Sequence, residues 1–230
     1  MAAQSVPVEH IVVDGASTDG TQEVLDRYKG DLAVALSEPD RGIYDAMNKG
    51  IALAAGDYVG LLNADDRHAG PDVLAAVIEA FESTGAGAVY GDLVYVDGED
   101  GSRVVRYWRS GGYRRSAFRW GWMPPHPAFF VRREVYREFG DFNLDLGSAA
   151  DYEIMLRFLY RHRVEACYLP RILVRMATGG VSNRSLGNRL RANRMDKRAW
   201  AVNGLRPLPW TFVAKPVRKI GQWIRRPPAS

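Results

Sequence analysis

The sequence has a single cysteine, Cys167, in 230 residues. That excludes an internal disulfide and suits a chain kept in a reducing compartment such as the cytoplasm. The cysteine falls in the strand-like run EACYL (165–169), where it reads as a buried structural thiol rather than a nucleophile. No apolar run approaches the ~18 residues that a membrane-spanning helix requires. The opening MAAQSVPVEHIVVDG lacks the basic stretch and long apolar core of a secretion signal. Internal repeats and low-complexity segments are also missing. Acidic residues are scarce at one end: from Asn188 to Ser230 there is only Asp196, against eleven lysines and arginines. The whole chain carries only +4, so this local excess marks a segment with its own preference for an anionic partner.

What is present is ordinary for a soluble globular protein: 47% apolar and 25% charged residues. The length suits one α/β domain with a tail, divided here as 1–187 and 188–230. His10 to Val13, Leu32 to Ser37 and Tyr58 to Leu62 read as strands. Thr21 to Tyr28, Ile43 to Ala55 and Pro71 to Ser83 read as helices between and after them. Further strands are expected at Ala88 to Tyr90, Leu93 to Val96, Ala128 to Val131 and Glu165 to Leu169. A short helix runs to Phe139, and Ala150 to Arg161 forms a strong amphipathic helix. Alternation of this kind predicts a mostly parallel sheet with helices on both faces. Ligands of such sheets gather at the carboxyl ends of the strands. Asp14, Ser37 to Asp40, and Asp65-Asp66 all fall at such ends.

The stretch GDYVGLLNADDRH (56–68) poses the chemical question. An apolar strand runs into Asn63, Ala64, Asp65 and Asp66, and adjacent carboxylates repel each other and resist desolvation. A hard divalent cation, Mg²⁺ or Mn²⁺, neutralises such a pair while leaving positions free for phosphate. The alternative is that one aspartate caps the following helix and the other is solvated.

Residues 38–66, EPDRGIYDAMNKGIALAAGDYVGLLNADD, and VVDGASTDGT (12–21) resemble the family 2 inverting glycosyltransferases of GT-A fold. PHPAFFVRR (125–133) and ADYE (150–153) extend the resemblance over roughly residues 8 to 185. The resemblance implies a Rossmann-like sheet and a nucleotide-diphosphate sugar donor, with a UDP-sugar first among them. It implies that Asp14 binds the base, and that Asp40, Arg41 and Asn63 line the nucleotide pocket. Asp65 becomes a metal ligand, with Asp66 assisting, and Asp151 the catalytic base. An asparagine, Asn63, stands at the first position of the metal motif, where an aspartate is usual. The family also leads one to expect an apolar strand, a polar turn and a helix ahead of the equivalent of Gln4-Ser5-Val6-Pro7.

The chemistry of sugar transfer asks for the same parts. A metal offsets the charge of the leaving diphosphate, and a carboxylate takes the proton of the acceptor hydroxyl. Attack from the far face then inverts the anomeric centre, as in single-displacement hydrolases. Asp151 serves either as that base or as a helix cap. His126, held between Pro125 and Pro127, either touches the diphosphate or acceptor or is structural. Trp120 and Trp122 either stack on a sugar ring or belong to a core or lid. The loop Thr178-Gly179-Gly180-Val181-Ser182 either closes over phosphates or is a plain turn.

In the tail, residues 207–226 mix Trp210, Phe212, Val213, Val217, Ile220, Trp223 and Ile224 with lysine and arginine. That pattern suits a helix lying on an anionic membrane surface, or a helix packed on the domain with a solvated basic face. No nucleic-acid motif accompanies it. The expected activity is an inverting, metal-dependent transfer of a sugar to a cell-surface glycan or lipid-linked acceptor, at the inner face of the membrane. The alternatives are a non-catalytic nucleotide-sugar-binding or scaffold subunit and, less well matched, a nucleotidyltransferase, for which the Gly-rich basic phosphate loop is missing.

Overall fold

A computed structural model describes residues 4–97, 103–178, 186–224 and 227. In chain order the strands are β1 (Ile11–Asp14), β2 (Val34–Ser37), β3 (Tyr58–Gly60), β4 (Arg67–His68), β5 (Ala88–Asp97), β6 (Arg103–Trp108), β7 (Phe129–Arg132) and β8 (Ala166–Ala177). The helices are α1 (Thr21–Arg27), α2 (Ile43–Leu53), α3 (Val73–Thr84), α4 (Arg133–Phe139), α5 (Ala150–Met155), α6 (Leu186–Val202) and α7 (Thr211–Ile224). A π-helical turn, Leu156–Arg161, carries α5 onward.

β1 and β2 pair in parallel, with Asp14 opposite Ser37. The larger sheet has the order β3-β7-β5-β8-β4, and β6 adds to the second half of β5. β5 and β8 are parallel, whereas β7, β4 and β6 run against their neighbours. The α/β architecture expected from the sequence is therefore present, with a mixed sheet. β5 is buried without interruption from Ala88 to Val94, the signature of a strand covered on both faces. Ala88 and Tyr90 face a core built with α5 and its π turn. Val89 and Leu93 face Val73, Val77 and Phe81 of α3. The strands read as two pieces around Gly91-Asp92 are one strand, whose register against β8 shifts at those residues.

The C-terminal segment contributes to the main core. Ala199 and Trp200 of α6 are fully buried and Phe212 of α7 nearly so. Trp200 Nε1 donates to Tyr152 Oη at 2.9 Å, and Asn203 Nδ2 donates to Glu153 Oε1 at 2.9 Å. Lys215 Nζ reaches Asp196 at 2.7 Å and lies 4.0 Å from the centre of the Tyr152 ring. Gly121, at φ +70°, presses against the backbone of Lys215 so closely that no side chain fits there. On the other edge, Arg106 Nε donates to Gln222 Oε1 at 2.8 Å. Thus α5, α6 and α7 are held by buried polar pairs as well as by apolar contact.

Trp200→Ala is expected to lower stability by about 3–5 kcal/mol, because it leaves a cavity and strips the Tyr152 hydroxyl of its donor. Urea denaturation followed by far-UV circular dichroism checks this. An unchanged midpoint would mean that α6 adds nothing to the core.

Candidate functional site

The site begins at the carboxyl ends of β1 and β2. Asp14 is buried at the last position of β1, and parallel pairing sets it beside Ser37. Its Oδ2 accepts from Ser17 N at 3.0 Å and Ser37 Oγ at 2.7 Å, while Ser17 Oγ donates to Oδ1. The Ser17 hydroxyl first, then that of Ser37, holds the carboxyl below the usual range. Gly15 follows because a side chain there would meet Asp40 Oδ2 at 2.6 Å. Asp40 Oδ1 in turn accepts from Gly42 N at 2.7 Å, at the entry to α2. Arg41 is largely in solvent and pairs with Asp45 at 3.1 Å. Asp14 and Asp40 are thereby brought together, with Arg41 at their margin.

The second group follows β3. Asp66 N donates to Asn63 O at 3.0 Å, closing a tight turn, and Asn63 Nδ2 donates to Asp66 Oδ2 at 2.9 Å. Asp65 projects into solvent while Asp66 is buried. Burial pushes the Asp66 carboxyl up to about 6; the Asn63 amide opposes this and the Asp65 charge adds to it. Two oxygens, Asn63 Oδ1 and Asp66 Oδ1, are buried with no hydrogen-bond partner. Unpartnered buried acceptors are costly and call for an unseen donor or cation. Their chemistry fits a hard cation, with Asp65 available beside them. Among the described residues, no group of three or more His, Cys, Asp or Glu side chains converges as a self-contained metal cage.

The third group surrounds Asp151, in the first turn of α5. The cap position of that helix is Ala149, which makes no side-chain cap. Asp151 Oδ1 accepts from the next backbone N–H, Tyr152 N, at 2.7 Å. His126 stands near enough for the Asp151 charge to raise its pKa, but burial outweighs this and holds the imidazole below its ordinary value. Its ring meets Phe142 edge-on at 5.5 Å, and Tyr44 packs on the same phenyl ring at 5.2 Å. The Tyr44 hydroxyl is raised by burial and then by the Asp151 charge, and it bonds to the Asp151 backbone. Asn48, one turn along α2, clamps Phe142 through both backbone groups at 2.9 and 3.0 Å. Lys49 ties α2 back to Pro39 O at 2.9 Å and Glu38 at 2.8 Å. One helix thus anchors the Asp40 loop and the segment leading to Asp151.

Tyr95 links the second and third groups. Burial raises its hydroxyl, Arg106 opposes that, and the charges of both Asp66 and Asp151 add to it. The Arg106 guanidinium lies 4.5 Å from the centre of the Tyr95 ring. Sequence reading missed Tyr44, Asn48, Tyr95 and Arg106. Tyr44 and Asn48 carried a signal, since both sit four apart on one face of GIYDAMNKG; Tyr95 and Arg106 carried none.

One expectation is corrected. Trp122 is 5% exposed, donates Nε1 to Ser110 O at 2.8 Å, and is walled by Tyr90, Tyr113 and Phe118. It is a core residue with no face left for a sugar, whereas its neighbour Trp120 is exposed. Of the loop 178–182, Thr178 donates from its backbone to Val96 O at 2.9 Å, and the remainder lies outside the described residues. A cleft of about 650 Å³ lies elsewhere, along Thr84, Ala86, Arg163 and Cys167 near the start of β8.

Residues 2–140 match the glycosyl transferase family 2 profile. An uncharacterized glycosyltransferase of Mycobacterium tuberculosis is 40% identical over 154 residues, which is 65% of this chain and 56% of that protein. A PGL/p-HBAD biosynthesis glycosyltransferase of Mycobacterium bovis is 30% identical over 70% of this chain and 64% of its own length. The chain thus spans less than two thirds of these curated relatives. In fold it is similar to S. aureus TarS 1–349, solved with UDP (TM-score 0.63, 17% identity, 89% of this chain and 60% of that one). The mannosyltransferase PcManGT from Pyrobaculum calidifontis, solved with GDP-Man and Mn²⁺, gives a TM-score of 0.61 at 24% identity, over 94% of this chain and 61% of that one. With its strand-end aspartates, its Asn63–Asp66 turn and a profile match over more than half its length, the chain belongs to glycosyl transferase family 2.

Proposed function

We propose that the protein is an inverting, metal-dependent glycosyltransferase. It moves a sugar from a nucleotide-diphosphate donor, a UDP-sugar first, to a cell-surface glycan or lipid-linked acceptor at the inner membrane face, with residues 207–226 meeting anionic lipid. The observation that carries this reading is the pair of buried oxygens without a partner, Asn63 Oδ1 and Asp66 Oδ1, in the turn that follows β3. The nucleotides with which TarS and PcManGT were solved, UDP and GDP-Man, support the donor class.

In this reading Asp14 and Asp40 receive the nucleoside at the ends of β1 and β2. Asp65, with the buried oxygens of Asn63 and Asp66, would hold Mg²⁺ or Mn²⁺, which when bound supplies positive charge against the departing diphosphate. Asp151 accepts the acceptor hydroxyl proton as the new bond to the anomeric carbon forms and the bond to the diphosphate oxygen breaks. His126, kept neutral at pH 7 by burial, borders that space without adding charge. Tyr44 and Asn48 fix the segment from which Asp151 projects, which preserves the in-line geometry on which single displacement depends.

Calorimetric titration of UDP should show binding in Mn²⁺ that is lost in EDTA, and Asp65→Ala should weaken the metal-dependent binding by about tenfold or more. A folded protein with no affinity for UDP under any metal would sink the donor assignment. Asp151→Asn should leave UDP affinity unchanged and lower turnover by about 10²- to 10⁴-fold; turnover equal to wild type would remove Asp151 from the base role.

Asp66 adds a pH prediction. Its folded value of about 6 lies above the ordinary 3.8, so the folded chain binds more protons between those values. The metal-free fold should therefore lose stability as pH rises from about 4 to 6. Asp66→Asn removes that loss. In EDTA the variant should exceed wild type at pH 8, on the order of 1–3 kcal/mol, and show little difference near pH 4. Thermal melts across pH decide the matter, and a variant less stable than wild type at pH 8 would contradict it.

A further inference from the structure

α7 leaves apolar side chains on its outer surface. Among its described side chains, Thr211, Phe212, Lys215 and Gln222 face inward, engaged with Arg119 O, the core, Asp196 and Arg106 respectively. Its outward positions include Val213 and Val217, 65% and 58% exposed and one turn apart, with Trp210 just ahead at 45%. A surface helix normally buries such a stripe. Trp120 joins the patch from the short 3₁₀ segment Arg115–Trp120, which packs on α7. Its ring, 53% exposed, lies 5.6 Å from that of Trp210. Two segments ninety residues apart in sequence thus build one apolar ridge on the surface. Contiguous exposed apolar surface of this kind marks a contact site.

The surrounding charge selects the occupant. From Arg103 to Val131 the sequence holds six arginines and no acid, and from Lys197 to Ser230 there is again no acid. Asp196, the acid next to that tail, is buried and bonded to Lys215. Arg114, Arg206 and Arg218 are exposed. Arg109, Lys215 and Arg218 line a cleft of about 380 Å³ between α7 and the end of β6, with Val217 among its walls. A second copy docked on this ridge would oppose like charges. An anionic bilayer offers phosphates to the arginines and an interfacial layer to the indoles, where tryptophan is favoured.

We propose that the ridge Trp120–Trp210–Val213–Val217 is a membrane-insertion wedge and that the basic cleft beneath it receives lipid phosphate. The wedge gives the proposed membrane-side acceptor its physical basis, and rests on that reading only in this respect. Lys215 joins the wedge to Tyr152, the neighbour of Asp151, so a docked α7 presents the catalytic helix at a fixed height above the lipid.

The test is flotation of the full chain on phosphatidylcholine vesicles with and without phosphatidylglycerol. Wild type should bind the anionic vesicles, less so in high salt. The double change Trp210→Ser with Val217→Ser should weaken partitioning by about tenfold or more. Arg206→Glu with Arg218→Glu should abolish the preference for anionic lipid. Brominated lipid should quench tryptophan emission in wild type and much less in Trp120→Phe with Trp210→Phe. All these positions are exposed, so circular dichroism should show folded variants. Their UDP affinity in solution should match wild type, which separates a failed wedge from a failed transferase assignment. No binding to anionic vesicles would overturn the proposal, as would equal binding by the ridge variant. A soluble dimer dissolved by the ridge variant, without lipid binding, would overturn it in favour of self-association.

Discussion

The bend in β5 at Gly91-Asp92 is the constraint on which the site depends. β5 keeps β8 along one edge throughout, while its other edge changes partner from β7 to β6. The change requires a register shift, and the shift requires glycine: a Cβ at Gly91 would meet Leu173 Cδ1 at 2.5 Å and Arg171 O at 2.9 Å. The next residue, Asp92, is 2% exposed, a costly place for a carboxylate. Three donors satisfy it: Ser110 N at 2.8 Å, Tyr168 Oη at 2.9 Å and the Tyr107 hydroxyl. With the bend fixed, the first half of β5 places β7 and through it β3, whose end leads into the Asn63–Asp66 turn. The second half returns Tyr95 to the same rim. One strand thus positions both the Asn63–Asp66 turn, through β7 and β3, and Tyr95.

The second organising element is the polar face of α2. Its apolar face supplies Ile51 and Met47 to the core, as any amphipathic helix does. Two polar residues hold the loop before α2, Asp45 with Arg41 and Lys49 with Glu38 and Pro39, and two hold the second half of the chain, Asn48 with Phe142 and Tyr44 with Asp151. A net hydrogen bond contributes only about 1 kcal/mol, so none of these dominates stability. Their effect is positional, since they bind loops from both halves of the chain to one rigid cylinder and so restrict where Asp151 projects relative to Asp40.

Those facts explain what the sequence revealed and what it concealed. β1 and β3 were legible because each is a short apolar run that ends near glycine or aspartate, and α2 because its apolar residues recur at helical spacing before Gly56, so local patterning suffices. The aspartates at strand ends were legible for the same reason. β6, RVVRYW, was not, because arginine at every third residue masks a strand whose pairing with β5 supplies the stability. β8 was read as ending at Leu169, before Pro170, yet it continues to Ala177, because β5 and β4 take up its hydrogen bonds beyond a register shift. Trp120 and Trp122 flank the same residue, Gly121. Their fates differ because Gly121, at φ +70°, turns the chain between them, so one ring enters the core and the other leaves it. The role of Tyr95 depends on three elements meeting in space, which no local pattern encodes.

The distribution of charge follows from these placements. Five carboxylates, Asp14, Asp40, Asp65, Asp66 and Asp151, lie in the segments after β1, β2 and β3 and in the first turn of α5. The donor class proposed for this rim is itself an anion, so the rim works only if positive charge is supplied there. Several of the domain's own cations are already engaged. Arg41 and Lys49 are engaged along α2, Arg106 lies over Tyr95 and bonds Gln222, and Lys215 turns inward to Asp196. The arginines left on the surface of the two acid-free segments then surround an apolar ridge rather than the nucleotide site. The proposed function pairs a small cation at the rim with an anionic surface at the ridge. α7 contacts both Arg106 and Tyr152, so the helix that bears the ridge is fastened to β6 and to α5, the helix of Asp151.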